Sequence, residues 1–156
     1  GVGVVQTSDD KGQEIYAGSY TSFDFSQISV PPGATLTSVV LYIEHFEEEQ
    51  FTSGKLQWSV GTGWPAKPTT WISTDAPVRK GKQSEATDAW DVTSSVETPE
   101  KIKSLQLQIQ NSDNVSRKKT SVDCIWAVVE WGWPAPQKPL NREDQTGLVQ
   151  YGNGGR

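Results

Sequence analysis

Apolar and polar residues alternate along much of the chain with a period of two, as they do in strands that bury a single face. Over residues 105–110, Leu105, Leu107 and Ile109 fall on one side and Gln106, Gln108 and Gln110 on the other. That pattern predicts an antiparallel strand wet on one face. Residues 35–46 place Val39, Leu41 and Ile43 on one face and Val40 and Tyr42 on the other, so both faces are partly covered. Residues 55–60 alternate again, with Leu56, Trp58 and Val60 inward. The acidic stretch 47–50 lies between these two runs, which read together as a hairpin. A weaker alternation around Phe23, Phe25 and Ile28 ends at Pro31, Pro32 and Gly33, a turn signal. From Val122 one face would carry Val122, Cys124, Trp126 and Val128, and the other Ile125, Ala127, Val129 and Trp131. A strand with so little polar surface lies mid-sheet, its second face under a loop or against another subunit. No helix-period segment competes with these strands.

The remaining segments read as connections. Residues 61–79 hold three prolines and two tryptophans among small polar residues, which predicts a long structured loop. Residues 82–91 return as a short strand into Trp90-Asp91-Val92-Thr93, where Asp91 or Thr93 could cap a helical turn. Strands at roughly 10-residue spacing with turn signals between them indicate an all-β sandwich or barrel. The run through Trp90, Asp91, Val92 and Thr93, then Val122, Asp123, Ile125, Val129 and Trp131, resembles the closing half of jelly-roll-like modules on bacterial and archaeal surface proteins. These include DNRLRE-type and some carbohydrate-binding modules. The resemblance implies a single jelly-roll-like antiparallel β-sandwich and an extracellular or cell-surface setting. The expected division is an extended N-terminal segment (1–12), the sandwich (13–133), and a proline-rich exit with an extended C-terminal tail (134–156).

Composition narrows the function. With 34% hydrophobic residues, 14 Gly, 9 Pro and no Met, the apolar load falls on thin strands rich in β-branched and aromatic side chains. A net charge of -5 argues against nucleic acid, which needs a basic patch to release counterions from phosphates. No apolar run approaches the roughly 18 residues of a membrane span. A start on Gly1 suits a processed mature form or a trimmed chain.

Candidate chemistry is sparse. His45 is the single histidine, so any Ser-His-Asp or Cys-His scheme must use it, and its place in a strand favours a structural role. Cys124, the single cysteine, sits among bulky residues and reads as a small packed hydrophobe. One Cys and one His cannot build a zinc site, and no cofactor or metal ligand set is assigned. Asp9, Asp10, Glu14, Asp24, Asp75 and Asp88 supply oxygen atoms that a structural calcium could use, without a recognisable spacing. Asn114-Val115-Ser116 matches the glycosylation sequon. Trp64 and Trp71 form a candidate ligand platform, since an exposed indole on a stiff loop can stack on a sugar; the alternative is that they cap the sandwich.

The two ends carry their own alternation. Val2 and Val4, and Leu148, Val149 and Tyr151, are candidate subunit contacts, dipping into a neighbour's groove while the backbone adds a strand to its open sheet edge. The acidic tip at Glu47, Glu48 and Glu49 and the basic loop at Arg117, Lys118 and Lys119 could also meet between subunits. The leading expectation is therefore a non-catalytic structural subunit of an extracellular homopolymer: a filament, pilus-like fibre or coat. The alternative is a carbohydrate-binding module that holds polysaccharide with its exposed Trp side chains.

Overall fold

The computed structural model describes residues 2–6 as main chain and residues 12–134 in full. The strands are β1 (Val2–Gln6), β2 (Gln13–Tyr16), β3 (Tyr20–Asp24), β4 (Thr35–Glu47), β5 (Leu56–Thr62), β6 (Ile72–Asp75), β7 (Ala86–Asp91), β8 (Leu105–Asn111) and β9 (Lys119–Gly132). One short helix, α1 (Pro99–Lys103), precedes β8. A five-stranded sheet has the order β1-β9-β4-β7, with β2 also paired to β9; a four-stranded sheet has the order β3-β8-β5-β6. All strand pairings are antiparallel.

From β2 to β9 the chain crosses between sheets at almost every connection, and only β5 and β6 are sequential neighbours within one sheet. Eight strands wound in this order make a jelly-roll β-sandwich. The core is the set of inward positions that alternation picks out. Val39, Leu41 and Ile43 of β4 and Ile125, Ala127 and Val129 of β9 face Leu56, Trp58 and Val60 of β5 and Leu105, Leu107 and Ile109 of β8, all buried. Phe25, Ile28, Phe51, Val92, Val96 and Ile102 close the ends.

Three expectations are corrected. The β4–β5 hairpin does not form, because the two strands lie in opposite sheets. Alternation identifies each strand's buried face but not its partner, and the connection carries the fully buried Phe51, which fills the gap between sheets as a hairpin tip would not. Second, the long loop 61–79 contains β6, an edge strand that hydrogen-bonds only to β5 and so tolerates flanking prolines. Third, the faces of β9 shift at a bulge: Glu44 pairs with Cys124 and His45 with Val122, leaving Asp123 as the extra residue. Val122 therefore joins Ile125, Ala127 and Val129 inside, while Cys124, Trp126 and Val128 face outward. Val2–Gln6, which holds the expected subunit contacts Val2 and Val4, pairs along β9 of its own chain in the register Val2↔Glu130 to Gln6↔Trp126. Leu148, Val149 and Tyr151 lie outside the described residues.

Asp91 stands one residue before the N-cap position of the turn, which is Val92. Asp91 Oδ1 accepts from the Thr93 N–H (2.9 Å) and from the Thr93 hydroxyl (2.6 Å), starting a single turn at Thr93–Ser95.

Candidate functional site

The outward face of the four-stranded sheet is built from the polar half of each alternating strand. Register stacks these side chains in rows: Tyr20, Gln110, Gln57 and Asp75; then Ser22, Gln108, Ser59 and Ser73; then Asp24, Gln106 and Gly61. The Ser59 and Ser73 hydroxyls are 2.7 Å apart, and Asp24 Oδ1 accepts from the Ser26 N–H and hydroxyl. Amides and hydroxyls thus dominate the field.

The loop after β5 folds over one end of it. Ser104 O accepts the N–H groups of Gly63 and Trp64 (2.9 and 3.0 Å), Ala66 N–H donates to Gly63 O, and Gln106 Nε2 donates to Ala66 O at 2.7 Å. The Trp64–Pro65 peptide is cis. Gly61 permits the close return, since a Cβ there would lie 2.7 Å from Pro68 Cβ and 2.8 Å from Thr70 O. Under this loop is a cavity of about 230 Å³ lined by Tyr20, Ser22, Gln106, Gln108 and Trp71, with Pro65 and Lys67 of the loop. Tyr20 is 57% exposed at one side and the half-buried Trp71 stands in the same cavity.

The structure therefore separates the two predicted tryptophans. Trp71 lines the cavity; Trp64, 38% exposed, does not, and its neighbour Pro65 takes that place. Sequence reasoning passed over Tyr20, Ser22, Lys67, Gln106 and Gln108. Their signal was visible as the wet face of 105–110, but only cross-strand register brings Tyr20 beside it.

Other candidate groups resolve differently. His45 is buried, with Nδ1 2.7 Å from Glu47 Oε2 and Nε2 2.9 Å from Asp88 Oδ2, and its ring meets Trp58 edge-on. Arg79 holds Asp88 with Nε (3.0 Å) and Nη2, and donates its main-chain N–H to Glu47 Oε1 (2.6 Å). The Arg79 guanidinium, helped by His45, draws the Asp88 carboxyl below its ordinary range against the opposing effect of burial. Both imidazole nitrogens face carboxylates in a site closed to solvent, so His45 is not free to serve as a base. Cys124 stands opposite Glu44 on the other face of the sheet.

Among the described residues, the carboxylates that converge are none of those expected to hold calcium. Glu14 bonds Tyr16 and Lys119, Asp24 bonds Ser26, and Asp88 bonds Arg79; Asp9 and Asp10 lie outside the described residues. Instead Glu44, Glu85 and Asp123 each place an oxygen within 4.8 Å of the others, the bulge having turned Asp123 toward Glu44. Burial, then the charges of Asp123 and Glu85, push the Glu44 carboxyl up. Oxygen ligands of this kind suit a hard cation. The acidic tip and basic loop meet within one chain: Glu48 N–H donates to Lys119 O (3.1 Å), and Glu47 is buried against His45.

The outward face of the larger sheet carries a half-buried apolar patch between the Ser38–Glu130 pair and the Glu44–Asp123 carboxylates. The Tyr42 and Trp126 rings stack in parallel (centroids 5.4 Å apart, 11° between planes), and Val40 and Val128 form the adjoining row.

No family model matches the sequence, and no curated protein matches it. Solved structures with a similar course include the VP2 subviral particle of infectious bursal disease virus (13% identity, TM-score 0.48). That match covers 83% of this chain and 32% of that one, so the chain spans about a third of its length. Another is the carbohydrate-binding module CBM6cm-2 from Cellvibrio mixtus lichenase 5A in complex with cellotriose (13% identity, TM-score 0.43, 80% and 86% covered). A third is tomato aspermy virus (9% identity, TM-score 0.41, 89% and 81% covered).

Proposed function

We propose that the protein is a non-catalytic, extracellular binding module that holds polysaccharide on the outward face of its four-stranded sheet. The observation that carries this reading is the cavity in which Tyr20 and Trp71 share one space with Gln106, Gln108 and Ser22. A sugar ring has C–H faces that pack on aromatic planes and a rim of hydroxyls that both donate and accept. The Gln108 amide answers both needs with two donors and an acceptor, while Gln106, buried, keeps a donor on Ala66 O and braces the loop. A mostly neutral field suits a ligand whose chemistry is largely hydroxyl. The resemblance of residues 90–131 to surface modules supports the extracellular setting.

Affinity electrophoresis through gels containing soluble polysaccharides tests it. The wild-type chain should be retarded by at least one of them. Trp71→Ala and Tyr20→Ala should each weaken retardation about tenfold or more, as anchor residues do, while Trp64→Ala leaves it unchanged. Retardation that survives Trp71→Ala would sink the reading.

A second reading, the structural subunit of an extracellular filament, pilus-like fibre or coat, is favoured by the Tyr42–Trp126 face. There a stacked aromatic pair and two valines form the kind of surface that another copy covers. Leu148, Val149 and Tyr151 would add tail contacts to such a neighbour.

A further inference from the structure

We infer that the ligand of the Tyr20–Trp71 cavity is a sparsely charged glycan, neutral along most of its length and bearing a carboxylate or sulfate on the sugar unit beneath Lys67. This rests on the polysaccharide reading of the same site. Of the seven residues lining the cavity, Lys67 is the one that carries charge; Tyr20, Ser22, Pro65, Trp71, Gln106 and Gln108 are neutral. Among the described residues its ammonium has no ionic partner: the ion pairs use Arg79, Lys101 and Lys119. Nor is its backbone loose. Residues 63–66 are fixed by Ser104 O, Gly63 O and Gln106 Nε2, and Pro68, which follows Lys67, is buried. The cation is thus carried on a braced loop beside the amides, so the backbone needs no ordering when an anion meets it and only the side chain's rotamer freedom is lost.

Surrounding charge then decides the density of anions the site accepts. The chain is net -5, and Asp24 and Asp75 stand in the outer rows of the same face. A polyanion would meet repulsion along its whole length, whereas a single anionic group under Lys67 meets attraction over a few ångströms. Amides also donate to carboxylate or sulfate oxygens, so Gln108 need not change role.

The test uses the full chain and matched polymers: the neutral polysaccharide it retains best, and the same polymer with a small fraction of its hydroxyl positions converted either to carboxylates or to sulfate esters. Wild type should bind at least one derivative about fivefold more tightly than the parent, the size of an exposed ion pair, and the two derivatives tell carboxylate from sulfate. Lys67→Gln should erase the preference, so that parent and derivatives bind equally, and Lys67→Arg should keep it. Equal affinity of wild type for parent and derivatives overturns the inference and leaves the polysaccharide reading standing, as does a Lys67→Gln loss that is the same for all three. Failure of wild type to bind any parent or derivative overturns both.

Discussion

At the scale of single residues, the buried group around His45 shows how one strand position can carry more structure than its type suggests. Alternation puts residue 45 on the inner face, where a histidine needs partners for two nitrogens. Glu47, two residues along the same face, supplies one and Asp88 of the neighbouring strand the other. The Asp88 carboxyl is drawn below its ordinary 3.8 by Arg79 first and His45 after it, so its ionised form binds the fold more tightly than the unfolded chain. Its contribution is therefore complete above about pH 3.8 and is lost as pH falls through the lower folded value. Asp88→Asn should cost about 1–3 kcal/mol at pH 7, because Arg79 and His45 lose a charged acceptor. The deficit should shrink as the solution is acidified toward pH 2. Urea midpoints for wild type and variant across that range check both statements; a constant deficit would mean that Asp88 acts through packing alone.

At the scale of elements, what could be read from the sequence was the face each strand buries, and what could not was which strand lies beside it. Leu105, Leu107 and Ile109, or Val39, Leu41 and Ile43, announce themselves by period, and the structure buries all six. Partner choice depends on contacts far apart in the chain, so the expected β4–β5 hairpin became a crossing between sheets. The bulge at Asp123 was illegible for a related reason: one extra residue leaves the composition of β9 unchanged but reverses its faces. The candidate site was half legible. Trp71 stood out by residue type, whereas Tyr20 and the glutamines became a site only through register. The loop that brings Trp71 to them turns on Gly61, and this gives an element-level prediction. Gly61→Ala sets a methyl group against Pro68 and the Thr70 carbonyl, so the loop must shift. Stability should fall by about 1–3 kcal/mol, as for an overpacked position, and polysaccharide retardation should drop with it although no lining residue is changed. Thermal melts and affinity gels on the same preparation measure both; a destabilised chain that binds as before would show that the loop does not position the cavity.

For the whole molecule, the informative contrast is between the two outward faces of one sandwich. The four-stranded sheet shows amides and hydroxyls, which water solvates well. The five-stranded sheet shows Tyr42 stacked on Trp126 beside Val40 and Val128. A solitary binding module has use for the first face and no obvious use for the second, so the second is where the two functional readings part. Covering an apolar sheet face with an equivalent face of another copy brings the rings together around a twofold axis and closes the assembly as a dimer. A head-to-tail contact through residues 140–156 would instead leave it open and give a polymer. These geometries respond differently to change. If the sheet face is the contact, Tyr42→Ser with Trp126→Ser should convert a concentration-dependent dimer into a monomer in sedimentation equilibrium, with an unaltered far-ultraviolet circular dichroism spectrum. If the tail is the contact, removing residues 140–156 should abolish a large species that the double substitution leaves intact. A wild-type chain that sediments as a monomer at every concentration tested, with the same retention on polysaccharide as both variants, would overturn both contacts and leave the proposed module acting singly through its four-stranded sheet.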